Sequence, residues 1–587
     1  MIGKNLKDSL IKRARNNMTE KDLEKEILEL KAQIKKLQKN NLGLVFEEKK
    51  EEIVTQCQEK VPVFAEMKTK RIISDDKAPN NLLIEGDNYH VLCVLNYTHK
   101  KKIDLIYIDP PYNTGARDWK YDNDYVDSED TYRHSKWLSF MRHRLTLAKE
   151  LLKDDGFIVC AIDHNELFTL GVLMDKIFGE QNRIGIISVV HKPEGRNQEK
   201  FFGTSNEFML VYAKDKSIAE FNEVILEPEL AKKYNLSDNF GNYRLQNFIR
   251  LTDGQLALRS VRPNFWYPIY VNPKTLDVSA RKVRGFREVY PVTTAGVEMS
   301  WKALPDTLQK GISDGSIIAK KDSSDRLTIL EKIREGQVVK THWIRKEYNA
   351  IQYGTKVLND ILGEKVFDFP KSLHLITDVI KLTSKPNAII LDFFAGSGTT
   401  GHAVLEMNKI DGGSRRFILC TNNENNNGGG GGIAESVCYP RLKAVISGYK
   451  NKKNEKVVGL SSNLFYYRSA LVDIERLYKI SDEARIRITY QAGEMIAVRE
   501  DTLNEIEKND WWQIFEGQER ITAIYFKEDK SKLADLVEIL EKKKKPTTLY
   551  IFSWGKNEYK SEYSSLNIRV EDIPEPILEV YKEINRL

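Results

Sequence analysis

Short apolar runs separated by amphipathic stretches set the rhythm of residues 81 to 215. LLIEGD (82–87), KKIDLIYID (101–109), GFIVCAID (156–163) and EFMLVYAK (207–214) read as strands. KWLSFMRHRLTLAKELLKDDG (136–156) between them reads as an amphipathic helix, so the alternation predicts a doubly wound α/β sheet. From 216 to about 365 the rhythm breaks into shorter β-rich pieces with many aromatics and scattered Arg and Lys, the pattern of an inserted domain. It returns in NAIILDFF (387–394) and RRFILC (415–420), two further strands of a parallel sheet. The Asn and Gly run from Asn425 to Gly432 is a flexible loop by composition. Residues 451–587 form a separate mixed α+β segment ending in TTLYIFSW (547–554) and the helix EPILEVYKEINRL (575–587). Near the other end, Leu23, Ile27, Leu30, Ile34 and Leu37 recur at spacings of four and three. This seam suits either a paired coiled coil or a helix lying on its own core.

A length of 587 residues calls for two to four domains. The boundaries fall at 1–60 (helical segment), 61–215, 216–365, 366–450 and 451–587. No uninterrupted apolar run approaches the roughly 18 residues of a membrane span, and the N-terminus lacks a secretory apolar core. Cys57, Cys93, Cys160, Cys420 and Cys438 show no CxxC spacing, which implies a reducing cytoplasm with neither a disulfide framework nor a metal site. A net charge of +6 permits a polyanionic partner without demanding one.

Two stretches carry chemistry. In LDFFAGSGTTGHAVLE (391–406) a strand enters a glycine turn that opens a helix. Gly396 and Gly398 allow a tight turn and a close ligand approach, and unpaired N–H groups stand at the helix start near Ser397 and Thr399. A nucleotide-like cofactor or a purely structural turn would both satisfy this stretch alone; no Lys follows as a phosphate loop requires. In YIDPPYNTG (107–115) the Asp109 carboxylate can accept a hydrogen bond from an amino group. Pro110 and Pro111, with fixed φ, hold the neighbouring carbonyls as a second rigid acceptor. Tyr112 offers a flat face for a flipped base. An aromatic amine is a poor nucleophile because its lone pair is delocalised, and two acceptors drawing on its hydrogens favour the attacking form. The alternative is an acidic turn whose prolines merely end the strand.

DPPY followed far downstream by FxGxG resembles the DNA amino-methyltransferases that use S-adenosylmethionine. Asp at the first position resembles the adenine N6 enzymes, and the motif order, catalytic before cofactor, resembles the beta class with its inserted target-recognition domain. IYIDPPYNTG, RPNFWYPIYVNP (262–273) and YGTKVLNDILGEKVFDFPKS (353–372) narrow the likeness to the modification (Mod) subunits of type III restriction–modification systems. The resemblance implies a Rossmann-like methyltransferase sheet in permuted order, its catalytic half at 61–215, recognition domain at 216–365, cofactor half at 366–450, and a C-terminal dimerisation or partner-binding domain at 451–587. Asp109, Pro110, Pro111 and Tyr112 would hold the target amine and base. Asp87, Asn88, Lys371, Asp392, Phe394, Gly396, Ser397, Gly398, Thr399 and Glu424 would hold the cofactor, with Lys371 on its carboxylate and Glu424 on its ribose. His164 stands where relatives often carry a second acid, as a base contact or a surface loop residue. Expected partners are double-stranded DNA, reached by base flipping, a second copy of the chain, and a separate restriction (Res) subunit for cleavage. The rivals are a solitary regulatory adenine methyltransferase and a catalytically silent DNA-binding specificity subunit.

Overall fold

The computed structural model describes residues 49–587 apart from 123, 196–199, 223–231, 252, 335–338, 424–431, 555–561, 563–566 and 587, together with Lys31 and Glu47. The heptad seam of residues 19–37 and Glu424 lie outside the described residues.

Among the described residues, ten strands make one sheet. In chain order they are β1 (Lys60–Glu66), β2 (Asn80–Glu85), β3 (Ile103–Ile108), β4 (Leu152–Ile162), β5 (Arg183–Val190), β6 (Asn206–Ala213), β7 (His342–Trp343), β8 (Ile389–Asp392), β9 (Arg416–Thr421) and β10 (Asn463–Asp473). Their order across the sheet is β1-β10-β2-β9-β8-β3-β4-β6-β5-β7. The six strands from β10 to β4 run parallel, β1 and β6 are antiparallel to their inner neighbours, and β7 pairs parallel with β5. The sheet therefore joins β8 directly to β3, with Ile390 opposite Leu105 and Leu391 opposite Ile106.

The apolar runs form central strands because both faces are covered. Along β3, Ile106 and Ile108 enter one buried core while Leu105 and Tyr107 enter the other, the period-2 alternation of a strand packed on both sides. On the first face lie helix α1 (Asn88–Thr98), buried from Tyr89 onward, and helix α2 (Arg133–Leu151). The C-terminal segment packs over α1, so Ile577, Leu578 and Tyr581 share its core, and the Tyr581 hydroxyl donates to Pro62 O at 2.5 Å. A helix covered on both sides has no need of a polar face, which explains why α1 is apolar nearly all round.

Two pieces of the sheet come from unexpected stretches. β7 lies inside the span read as an inserted domain, and β10 inside the span read as a separate C-terminal segment. Between β6 and β7 stand a four-stranded and a three-stranded sheet around a core with Phe248 and Trp301. The C-terminal segment adds a five-stranded sheet that includes Thr547–Phe552, and the expected last helix spans Glu575–Ile584. Among the described residues, no helix is long and apolar enough to cross a membrane.

Candidate active site

The site lies where β3 and β8 end side by side. β3 stops at Asp109 because Pro110 and Pro111 have no N–H for the ladder. The Trp137 indole on α2 donates to the Pro111 carbonyl at 2.8 Å, pinning the segment. Asn113 follows with φ +55 and is fully buried, its amide donating to Glu166 and its carbonyl accepting from Trp119 Nε1 at 2.9 Å. Left-handed backbone at a non-glycine residue is tolerated because Asn can bond locally.

Helix α3 (Leu373–Thr383) leads into β8, and at the end of β8 the chain turns through Gly396 (φ +48) and Gly398 (φ +77) into helix α4 (Thr399–Asp411). A Cβ on Gly398 would stand 2.9 Å from Cys438 Sγ, so both φ and space require glycine there.

A cleft of about 250 Å³ joins the two strand ends, near the lower bound of ~300 Å³ for small-molecule sites. Asp109 and Pro111 line it from β3, Phe394 and Gly396 from β8, and Asp87 and Asn88 from the end of β2. Thr421, the last residue of β9, and Asn422 complete that side, with Trp119, Phe140 and Phe393 as further aromatic walls. Asp87 also caps α1, accepting from Tyr89 N at 2.7 Å, and the Asn88 amide donates to Phe393 O at 3.1 Å, tying β2 to β8.

The other expected residues stand elsewhere. The Asp392 carboxyl accepts from Phe394 N–H at 3.0 Å and from the Thr400 hydroxyl at 2.5 Å, bracing the turn from inside, and burial pushes it up to about 7. The hydroxyls of Ser397 and Thr399 face the buried guanidinium of Arg441, which donates to them at 3.1 and 2.8 Å. Lys371, expected on the cofactor carboxylate, directly precedes Ser372, the side-chain cap of α3, and its ammonium reaches the DPPY segment. There it donates to Glu207 at 2.7 Å, lies 3.1 Å from Asp109, and also donates to the Tyr112 oxygen. Tyr112 is half-buried, with the ammonium 4.8 Å from its ring centre. His164 is exposed on its loop.

Sequence reasoning missed Glu207 and Arg144. Glu207 is the second residue of β6; because β6 runs antiparallel to β4, its first residues lie at the same edge of the sheet as Asp109. Arg144, on α2 and 1 % exposed, is ion-paired with Glu51 at 2.8 Å and with Asp87 at 3.4 Å, and donates to Asn88. A cation at that position of an amphipathic helix is the one signal that could have pointed to it.

The electrostatics separate the two acids facing Lys371. Burial pushes the Asp109 carboxyl above its usual range, helped by the charge of Glu207 and opposed by the Lys371 ammonium. Burial works to raise Glu207 as well, but the charges of Lys371 and His191 outweigh it and hold Glu207 below its usual range. Glu207 therefore keeps its charge, and Asp109 is the acid more ready to take a proton.

An acid beside a strand end, facing a glycine turn on the next parallel strand, makes a Rossmann-like fold with a ligand site at the carboxyl edge of the sheet. The chain belongs to the DNA methylase family of N6/N4 methyltransferases, whose model matches residues 103–426. The type II methyltransferase M.KpnI of Klebsiella pneumoniae is 38% identical over 341 residues, 57% of this chain and 78% of that protein. The type III EcoPI Mod subunit of Escherichia phage P1 is 33% identical over 61% of this chain, and the StyLTI Mod subunit of Salmonella typhimurium 33% over 60%. The matched parts cover only 59% and 53% of those two Mod subunits.

The family's methyl donor, S-adenosylmethionine, fits the donor set of the cleft. Asp87, Asn88, Thr421 and Asn422 offer acceptors and donors for its hydroxyls and amines. The ring faces of Phe394 and Phe140 suit an adenine or a sulfonium, and Asp109 places negative charge at the far end.

Proposed function

We propose that the chain methylates N6 of adenine in double-stranded DNA, as a Mod-like modification and specificity subunit. The observation that carries this reading is the shared cleft: Asp109 at the end of β3 and the glycine turn at the end of β8 line one cavity on adjacent strands. When bound, S-adenosylmethionine supplies a methyl group on a sulfonium. Asp109 accepts a hydrogen from the amine, with the Pro110 carbonyl as second acceptor, and Tyr112 offers a ring face to the base. Drawing on both hydrogens returns the lone pair to nitrogen. Methylation would leave the amine with a proton to shed, and the Asp109 carboxylate, its affinity for a proton raised by burial, would be suited to take it. The base must be extruded, because the amine inside a pair is hydrogen-bonded and out of line with the methyl.

Asp at the head of the tetrapeptide supports adenine over cytosine. The likeness to Mod subunits supports a homodimer in which one copy reads DNA while the other methylates, and a separate Res subunit for cleavage. In the inserted region Trp266 stacks on Tyr290 at 5.4 Å with the Arg259 guanidinium 4.6 Å from its ring, while the Tyr267 hydroxyl is committed to Ala303 O at 2.7 Å. This aromatic group supports a folded β core first and a DNA surface second.

Incubation with unmodified genomic DNA and labelled S-adenosylmethionine, followed by identification of the labelled base, tests the reading. Label in N6-methyladenine is expected; label in N4-methylcytosine overturns the adenine assignment, and unlabelled DNA supports the silent specificity subunit.

A further inference from the structure

Four polar groups from three distant segments meet beside the cleft: Asp109 and Tyr112, Lys371, and Glu207. The Tyr112 hydroxyl lies 2.9 Å from Asp109 Oδ1 and 3.0 Å from Glu207 Oε2. A hydroxyl has one hydrogen, so it serves one acid at a time. The Lys371 ammonium is likewise shared, 2.7 Å from Glu207 and 3.1 Å from Asp109. Both donors meet Asp109 at the same oxygen, Oδ1, and a proton donor and an ammonium held there weaken the carboxylate as an acceptor for a base amine. Glu207 is the second acceptor on offer, and at 4 % exposure it has no solvent to turn to.

We propose that Glu207 is a positioning residue for the methyl-transfer step: it takes over the Tyr112 hydroxyl and the Lys371 ammonium when the target base arrives, leaving Asp109 free to accept the amine. This rests on the reading of Asp109 as the amine acceptor. The charges around Glu207 fit the exchange. Lys371 faces it from the segment before α3, Asp109, Tyr107 and Tyr112 from β3 and the turn after it, and His191 from the end of β5. With Glu207 charged, Lys371 has a counterion whether or not Asp109 is engaged, so the ammonium is never left buried and unpaired. Without that charge Asp109 becomes the sole counterion of Lys371 and a weaker acceptor for the amine.

The test is the single-turnover rate of methyl transfer to DNA, at saturating S-adenosylmethionine, across pH 5 to about 9. Wild type, Glu207→Gln and Glu207→Asp are compared. Wild-type turnover tests the underlying reading; the variants test the role of Glu207. Because the charge of Glu207 raises the Asp109 carboxyl, its removal moves the acid limb of the profile to lower pH. Glu207→Gln is expected to slow transfer about 10- to 100-fold with its acid limb displaced downward and cofactor affinity within about threefold of wild type. Glu207→Asp keeps the charge at shorter reach, so a slower rate with the acid limb in its wild-type position is expected, and this holds as a test even if the amide variant does not fold. An amide variant as fast as wild type, an unmoved acid limb in it, or an aspartate variant whose limb moves as far as the amide's, would each overturn the proposal.

Discussion

Asp109 and Asp392 end neighbouring parallel strands, and burial raises the carboxyl of each, yet they are built into the molecule in different ways. Asp392 is closed within its own turn, its partners being Phe394 N–H and the Thr400 hydroxyl, two and eight residues away. Asp109 shares its partners with another acid, and two of the groups involved, Lys371 and Glu207, arrive from far along the chain. A closed local set of bonds makes a rigid brace. A shared set drawn from several segments can be re-dealt when a ligand enters. Burial and a raised pKa alone therefore do not mark a reacting acid; the origin of its partners does.

The sharpest way to break this contrast is to remove each acid's function in turn. Asp109→Ala is expected to lower methyl transfer at least about 1,000-fold while cofactor affinity, read by calorimetry, changes by less than about threefold. Lys371→Met comes next. Because its ammonium lies with Asp109 and Glu207, transfer should slow about 10- to 100-fold, with the larger effect in rate and the smaller in cofactor affinity; a loss confined to cofactor affinity would return Lys371 to the cofactor carboxylate. On the β8 side the effects should move from rate to stability. Thr400→Val removes one donor from buried Asp392 and should cost about 1–3 kcal/mol by denaturant unfolding, with the rate at saturating cofactor unchanged. Asp392→Asn is the mildest. With a folded value of about 7 against 3.8 for the free side chain, Asp392 supports the fold fully below about pH 4, and that support is lost as pH climbs toward 7. The amide cannot ionise, so between pH 4 and 7 the variant's melting temperature should fall by roughly a few degrees less than that of wild type.

The same contrast explains what could be read from the chain. The apolar runs at 82–87, 101–109, 156–163, 207–214, 387–394 and 415–420 became strands of one sheet, and Asp109 and Pro111 met the glycine turn in a cleft because both segments end strands at its carboxyl edge. These features are local, written in hydrophobic period and proline placement. Pairing is not. Nothing near Lys60–Glu66 or Asn463–Asp473 announces that they lie together at the edge of the sheet, and the two-residue strand at His342 is too short for a period. Glu207 looked like the polar first residue of a strand; only the antiparallel entry of β6 reveals what it faces. Asp392, Ser397 and Thr399 belong to the glycine turn, but their side chains serve Thr400, Phe394 N–H and Arg441 instead of the cleft. Proximity in sequence told which segment forms the site, and the direction of each side chain told which of its residues line the cleft.

The most direct measurement is a structure of the protein bound to DNA and an unreactive S-adenosylmethionine analogue. This account predicts an extruded adenine with its N6 about 2.6–3.2 Å from an Asp109 carboxylate oxygen, and the Lys371 ammonium withdrawn to Glu207. An extruded base whose amine is held away from Asp109, with Lys371 still seated on that carboxylate, would contradict it.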